Sequence, residues 1–217
     1  YGTGWNRRSP ITIQASQVDE NLTDFPVYVD LADLGSTFFN NVQTNGDDIR
    51  ITESDGETEL PYELVTLDTG GETGELHFKA NSISSSTDTT FYIYYENPNV
   101  SGYSETDTYG AQNVWNSDYI AVYHMEEAAA GRGNTALYQD STDNEYDADD
   151  ELNSSGKTGL LGQGQEIDAQ GDASEYLLLP SDIVNSENQL TFSYWFNSSE
   201  TNNQALINGG ADNDYLI

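Results

Sequence analysis

Short runs in which every second residue is apolar recur along this chain, separated by clusters of Gly, Asn, Asp and Ser. Side chains of a strand point alternately to two faces, so such a run buries one face and offers the other to solvent or a second layer. In residues 25–31, Phe25, Val27, Val29 and Leu31 alternate with Pro26, Tyr28 and Asp30. Residues 89–95 set Thr90, Tyr92 and Tyr94 against Phe91, Ile93 and Tyr95 in the same way. Further runs lie at 11–15, 49–53, 63–67 and 75–80, with turn chemistry at Ser54-Asp55-Gly56 and at 68–71. Only residues 36–42 read as a short helix, with Ser36 as the expected N-cap. The pattern predicts an all-β chain whose first hundred residues form a β-sandwich.

A second set of runs predicts a second sandwich in tandem. It occupies 119–125, 159–168, 175–179, 189–196 and 204–208, with a last run starting at 215. The reading divides the chain into a sandwich at 1–98, a polar linker at 99–113 and a second sandwich at 114–217. Because its final run has no successor to pair with, the second sandwich is expected to be partial. Between its first two runs, residues 126–156 are long, polar and acidic. Loops of that length are uncommon unless they are functional or ordered by an ion.

Charge narrows the partners. The chain holds 6 Lys and Arg against 38 Asp and Glu, a formal net charge of -32. There is no basic stripe to neutralise phosphates, so nucleic acid is excluded as a partner, and anionic membrane surfaces are disfavoured. No apolar run is long enough for a membrane span, so no membrane insertion is expected. Acidity spread along a whole folded chain destabilises it by self-repulsion, which concentrated salt screens. The reading is therefore of a protein built for brine. With 0 Cys, neither disulfides nor thiolate metal sites are available. The chain starts at Tyr1 rather than Met, which reads as a processed protein or a fragment. The N-x-S/T sequons at Asn21, Asn99, Asn153 and Asn197 are candidates for N-glycosylation and favour a surface or secreted setting.

Several motifs carry candidate chemistry. Asp140, Asp143 and Asn144 present three oxygen-bearing side chains within five residues, and Asp147 and Asp168 are placed to approach from neighbouring segments. Calcium takes six to eight such oxygens, so these five residues are the expected metal ligands, with calcium as the expected cofactor. Glu145-Tyr-Asp147-Ala-Asp149-Asp150 echoes the paired carboxylates of jelly-roll glycosidases, but it lacks apolar strand flanks and ends in Asp where Glu is needed. It is read as a solvated loop, and no catalytic residues are expected. His77 and His124 lie far apart in strand-like runs and read as structural strand residues. Among the 15 Tyr and 3 Trp, ring-bearing strand positions such as Tyr92, Tyr94, Tyr194 and Trp195 are expected to line cores. Tyr138 and Tyr146, beside the acidic run, are the expected glycan-contacting rings.

Both halves carry family resemblances. Trp5…Arg8…Ile11-Thr-Ile13, Leu22-Thr-Asp-Phe-Pro-Val27, Gly46-Asp-Asp-Ile-Arg50, Ser54-Asp-Gly56, Glu59-Leu-Pro-Tyr-Glu63, Ile83-Ser-Ser-Ser-Thr-Asp-Thr-Thr90 and Phe91-Tyr-Ile-Tyr-Tyr95…Asn97-Pro98 run in order through residues 5–98. They resemble a family, known as a domain of unknown function, that recurs in archaeal and bacterial surface proteins. Val114-Trp115…Tyr119-Ile-Ala-Val-Tyr-His-Met-Glu126, Asp140-Ser-Thr-Asp-Asn144, Gly156-Lys-Thr-Gly159, Gly162-Gln-Gly164, Tyr176-Leu-Leu-Leu-Pro180 and Leu190-Thr-Phe-Ser-Tyr-Trp-Phe196 resemble a concanavalin A-like, laminin-G-type lectin jelly roll. Where that family reads Phe-Asp-Gly, this chain reads Ile167-Asp168-Ala169. The tandem is similar to surface adhesins, including those of viruses of salt-loving archaea. The resemblance implies a non-catalytic recognition or adhesion module at a cell or virion surface in a high-salt setting, such as a tail fibre or spike. Its partner would be a surface glycan or glycoprotein receptor. The alternative is a purely structural β module that self-associates in a fibre or coat; a glycoside hydrolase ranks third.

Overall fold

The computed structural model describes residues 2–128, 131–153, 156–167, 175–181, 183–184, 189–198, 207–208 and 215–216. The chain divides into two compact units, Tyr1–Ser186 and Glu187–Ile217.

The expected first sandwich is present as two antiparallel sheets. One contains β1 (Arg7–Ile13), β3 (Arg50–Thr52), β4 (Glu59–Leu60) and β7 (Thr89–Tyr95) in the order β1-β7-β3-β4. The other contains β2 (Leu22–Asp30), β5 (Tyr62–Asp68) and β6 (Thr73–Ile83) in the order β2-β6-β5. Pro10 and Pro26 both fall in edge strands, where a missing N–H costs no ladder bond. Alternation sorts the faces as the sequence predicts. Phe91, Ile93 and Tyr95 of β7 enter the core with Leu76, Phe78 and Ala80 of β6 and with Val29 and Leu31. Phe78 meets Phe91 edge to face at 4.9 Å between centroids. On the opposite face of β7, Tyr92 and Tyr94 receive the Arg8 guanidinium, whose carbon lies 4.1 Å from the Tyr92 centroid.

One end of the sandwich is closed by a 3-10 turn at Leu31–Leu34 and by α1 (Ser36–Phe39), which buries Phe38 and Phe39. Ser36 is the first helical residue, not the cap: Gly35, at φ +70°, occupies the N-cap, and the Ser36 hydroxyl donates to Glu72. A positive φ favours glycine there, and a serine hydroxyl one residue later can no longer reach the free helix N–H groups.

Residues 99–113 belong to the first unit and pack closely against it. Arg50 donates to Ser101 O at 2.8 Å and stacks over Tyr103 at 4.1 Å, Tyr103 donates to Glu59 at 2.8 Å, and Tyr109 O accepts from Tyr62 N. Beyond them, residues 119–125 form no strand; from this irregular segment His124 reaches the outer face of the second sheet, while Tyr123 and Met125 pack against a separate small core. The acidic stretch is more ordered than the expected loop. It contains β8 (Asn134–Tyr138) and β9 (Ala148–Asp150), which join β12 (Leu177–Leu178) in the order β12-β9-β8 around a small core of Tyr138, Ala148 and Leu152. A short hairpin of β10 (Lys157–Thr158) and β11 (Gln163–Gly164) follows β9 in sequence.

In the second unit, β13 (Ile207–Asn208) pairs with β14 (Tyr215–Leu216). Tyr194 and Trp195 do not line a core: with Leu190, Phe192 and Phe196 they are exposed in a stretch without strand pairing, Trp195 to 75 %. Alternation reveals which residues can share a face, but a neighbouring sheet must exist for that face to be buried.

Candidate functional site

The candidate site begins with strand parity. In β6 the sequence Glu75-Leu-His77-Phe-Lys79-Ala80 sends Leu76, Phe78 and Ala80 into the core and Glu75, His77 and Lys79 to the outer face. In register with His77 stand Glu63 of β5 on one side and Tyr28 of β2 on the other. Such a face is commonly solvated in antiparallel sheets. Here Trp115 and His124 cover it, and Glu75 and His77 are only 5 % and 9 % exposed.

The covered groups form an alternating chain of carboxylates and imidazoles. Glu63 Oε2 lies 3.1 Å from His124 Nε2 and accepts from Trp115 Nε1 at 2.8 Å, and Glu63 Oε1 accepts from Ser141 Oγ at 2.6 Å. Glu75 Oε1 lies 3.7 Å from His124 Nδ1 and 3.0 Å from His77 Nε2. The two imidazole centroids are 4.9 Å apart, and Trp115 flanks both rings.

Electrostatics follow from these contacts. Burial opposes charge on His124, but the hydrogen bond it donates to Glu63 and the charges of Glu63, Glu75 and Glu127 outweigh it and raise the imidazole above its ordinary value. Burial likewise pushes the Glu63 carboxyl up, and the hydrogen bonds of His124, Ser141 and Trp115, with the imidazole charge, hold it below the usual carboxylate range. Burial and the neighbouring charges of Glu75 and Glu127 raise Glu126, against the Gln163 N–H that it accepts. Among the described residues Ser141 donates to the Glu63 carboxylate and to no imidazole.

A hairpin tip approaches these acids. Gly162 sits at φ +53°, and a Cβ there would collide with Glu75 Oε2 and Glu126 Oε1. Only a glycine lets the tip approach two carboxylates at that backbone angle. Beside the cluster opens a cavity of about 320 Å³ lined by Glu63, Leu64, Val65, His124, Glu126 and Glu127 together with Gln139 and Ser141. Glu127 Oε1 accepts from Gln139 N at 2.8 Å, whereas Glu127 Oε2 is buried without a hydrogen-bond partner among the described residues. Gln165 Oε1 is in the same condition, while its Nε2 donates to Met125 O and Glu127 O.

The residues expected to hold calcium are placed differently from one another. Asp140 is buried and accepts from Val122 N, Thr142 N, Thr142 Oγ1 and Tyr146 N at 2.8–3.0 Å. Those four donors engage both carboxylate oxygens, so the side chain works as a staple that closes the loop on residue 122. Asp147 accepts from Asp140 N, and the Asn144 amide donates to Ile120 O at 3.0 Å. Asp143 is exposed, and Asp168 lies outside the described residues. Replacing Asp140 by Ala leaves buried N–H groups unmet at about 1–3 kcal/mol each, so a loss of about 3 kcal/mol in a urea melt is expected. A change below about 1 kcal/mol would disprove the staple.

Tyr138 is not available to a sugar. It is fully buried because its ring fills the small core with Ala148 and Leu152. Tyr146 is half-buried, its backbone N donating to Asp140 and its carbonyl accepting from Tyr123. The later members of the glycosidase-like run are occupied too: Asp149 accepts from Ala136 N and Asp150 from Leu152 N. Among the sequons, Asn21, Asn99, Asn153 and Asn197 are all exposed, although Asn21 accepts from Ser85 and Asn153 donates to Glu175.

The cluster itself was missed by sequence reasoning. The outward parity of Glu75 and His77 was legible; that His124 and Trp115 would land on them was not. Residues 45–147 match the family described as Domain of unknown function (DUF2341). That region contains Glu63, Glu75, His77, Trp115, His124, Glu126, Glu127 and Ser141, while the hairpin tip at Gly162 lies beyond it. No curated protein and no solved structure matches the chain.

Proposed function

We propose that this chain is a non-catalytic extracellular recognition module that binds the hydroxyl-rich end of a neutral surface glycan in the cavity beside His124. The observation that carries the reading is a cavity of about 320 Å³ in which Glu63, Glu126 and Glu127 stand beside Leu64 and Val65. Carboxylate oxygens accept hydrogen bonds, and sugar hydroxyls supply the donors. Leu64 and Val65 offer apolar wall to the C–H faces of a sugar, and the volume is at the lower end for small-ligand sites. Glu63, Glu126 and Glu127 repel anionic sugars. The structural hydrogen bonds of Asp149 and Asp150 favour binding over cleavage. The net charge of -32 favours a high-salt habitat, and with the lectin-like motifs it supports a halophilic archaeon or its virus as the source.

A glycan array probed in molar salt tests this reading. Retention of neutral glycans is expected, and Val65→Trp, which fills the cavity wall, is expected to weaken it at least tenfold without lowering the melting point. Equal retention by the variant would remove the cavity from the proposal. The competing reading, a module that packs against copies of itself, draws on the exposed Phe192, Tyr194, Trp195 and Phe196. No glycan retained by the native chain, with self-association preserved, would favour it.

A further inference from the structure

We propose that Glu75, His77 and His124 form a site for a divalent first-row transition metal of the zinc type, with Glu63 as the positioning residue. Carboxylate and imidazole ligand atoms from these three residues all lie within 4.8 Å of one another. Glu75 Oε1 stands 3.0 Å from His77 Nε2 and 3.7 Å from His124 Nδ1. A tetrahedral ion with bonds of 2.0–2.1 Å has ligand–ligand edges of about 3.3 Å, between those two separations. Small side-chain rotations suffice to seat it.

The surroundings favour metal over an inert hydrogen-bonded cluster. The separation of His124 Nε2 from Glu63 Oε2, 3.1 Å, is that of a hydrogen bond. When Nε2 carries the proton, the lone pair of Nδ1 is directed to the side where Glu75 lies. A carboxylate that fixes the tautomer and orientation of a metal-bound imidazole is the usual second partner of such ligands. Glu63 is itself anchored by Trp115 and Ser141, so the orientation is set before any ion arrives. Charge points the same way. Glu63, Glu75, Glu126 and Glu127 gather around two imidazoles, whereas the ion pairs described for Arg and Lys lie elsewhere, at Arg7–Glu96, Arg50–Glu59, Arg132–Glu151 and Lys157–Glu166. Two imidazoles with one carboxylate select a borderline ion over calcium or magnesium, which prefer all-oxygen sets. The fourth position falls to water or to Glu126, whose oxygen converges with Glu75 Oε2 under Gly162. The site differs from the expected calcium loop in both residues and ion class, and it does not depend on glycan binding.

Cobalt(II) titrated into the metal-free chain, in molar sodium chloride with excess magnesium, tests the proposal. Equilibrium dialysis and the visible absorption of the ion are the readouts. One ion per chain is expected, with the intense absorption of four-coordinate cobalt and displacement by one equivalent of zinc. His77→Gln and His124→Gln are each expected to lower affinity about a hundredfold, and Glu63→Gln about tenfold, in the range seen when outer partners of a metal ligand are removed. The native titration requires no variant to fold. Failure of the native chain to take up one ion, or equal uptake by the doubly substituted His77→Gln/His124→Gln chain, would show diffuse binding to acidic surface only and overturn the assignment.

Discussion

Arg50→Met is expected to remove about 3–5 kcal/mol of stability, the usual cost of breaking a buried ion pair from one side. Arg50 is 4 % exposed, and its Nε lies 3.5 Å from Glu59 Oε1. Its guanidinium also donates to Asp47 O, Ile49 O, Ser101 O and the Tyr62 hydroxyl, and it stacks on Tyr103. Methionine fills much of the volume but leaves Glu59 buried beside three carbonyls that have lost their donor. The substitution also detaches Ser101 and Tyr103, so residues 99–113 should lose amide protection before the sandwich unfolds globally. Chemical denaturation with hydrogen exchange checks both parts. A loss below about 1 kcal/mol, with 99–113 still protected, would mean that the packing of Tyr103 and Tyr109 holds the segment without Arg50. Because the pair is buried, the loss should be nearly the same in dilute and molar salt.

The native chain should behave in the opposite way towards salt. Two like charges about 10 Å apart repel by about 0.4 kcal/mol in water before screening. At 0.1 M that repulsion falls to about 0.15 kcal/mol, and at 1 M to about a tenth of this, because the Debye length shrinks from about 10 to about 3 Å. With 38 acids against 6 bases, a few tens of such pairs are unavoidable. After allowing for repulsion in the unfolded chain, about 3 kcal/mol of stabilisation is expected between 0.1 and 1 M sodium chloride. At about 2–4 °C per kcal/mol for a chain of this size, the melting midpoint should rise by about 10 °C. A flat or falling midpoint would show that the acidic surface is not tuned to brine.

Strand parity was legible because it is a local property. Leu76 and Phe78 of β6 and Phe91 and Ile93 of β7 are fully buried, as alternation predicts. The same rule failed at Tyr194 and Trp195, where a strand-like run is exposed and unpaired. It also misled at 119–125, where Tyr123 and Met125 pack against the small core of Tyr138, Ala148 and Leu152 without joining a ladder. The five oxygen-rich residues were grouped as a calcium set by their spacing in sequence. In the fold, the two oxygens of Asp140 are already taken by four local donors, a competition that spacing does not display.

What the sequence determined by itself was the all-β class, the inward and outward faces of the first sandwich, and a formal net charge of -32. Each follows from neighbours in the chain or from composition. Tertiary structure alone decided that the outward face of β5 and β6 would be covered. Once Trp115 and His124 lie over Glu63, Glu75 and His77, a face that parity assigns to solvent becomes a desolvated cluster of carboxylates and imidazoles. The small core with Ala148 and Leu152 buried Tyr138, which sequence had left free, and the hairpin tip brought Gly162 close to two acids from distant parts of the chain. Burial and proximity depend on which segment lies over a face, and no local periodicity encodes that.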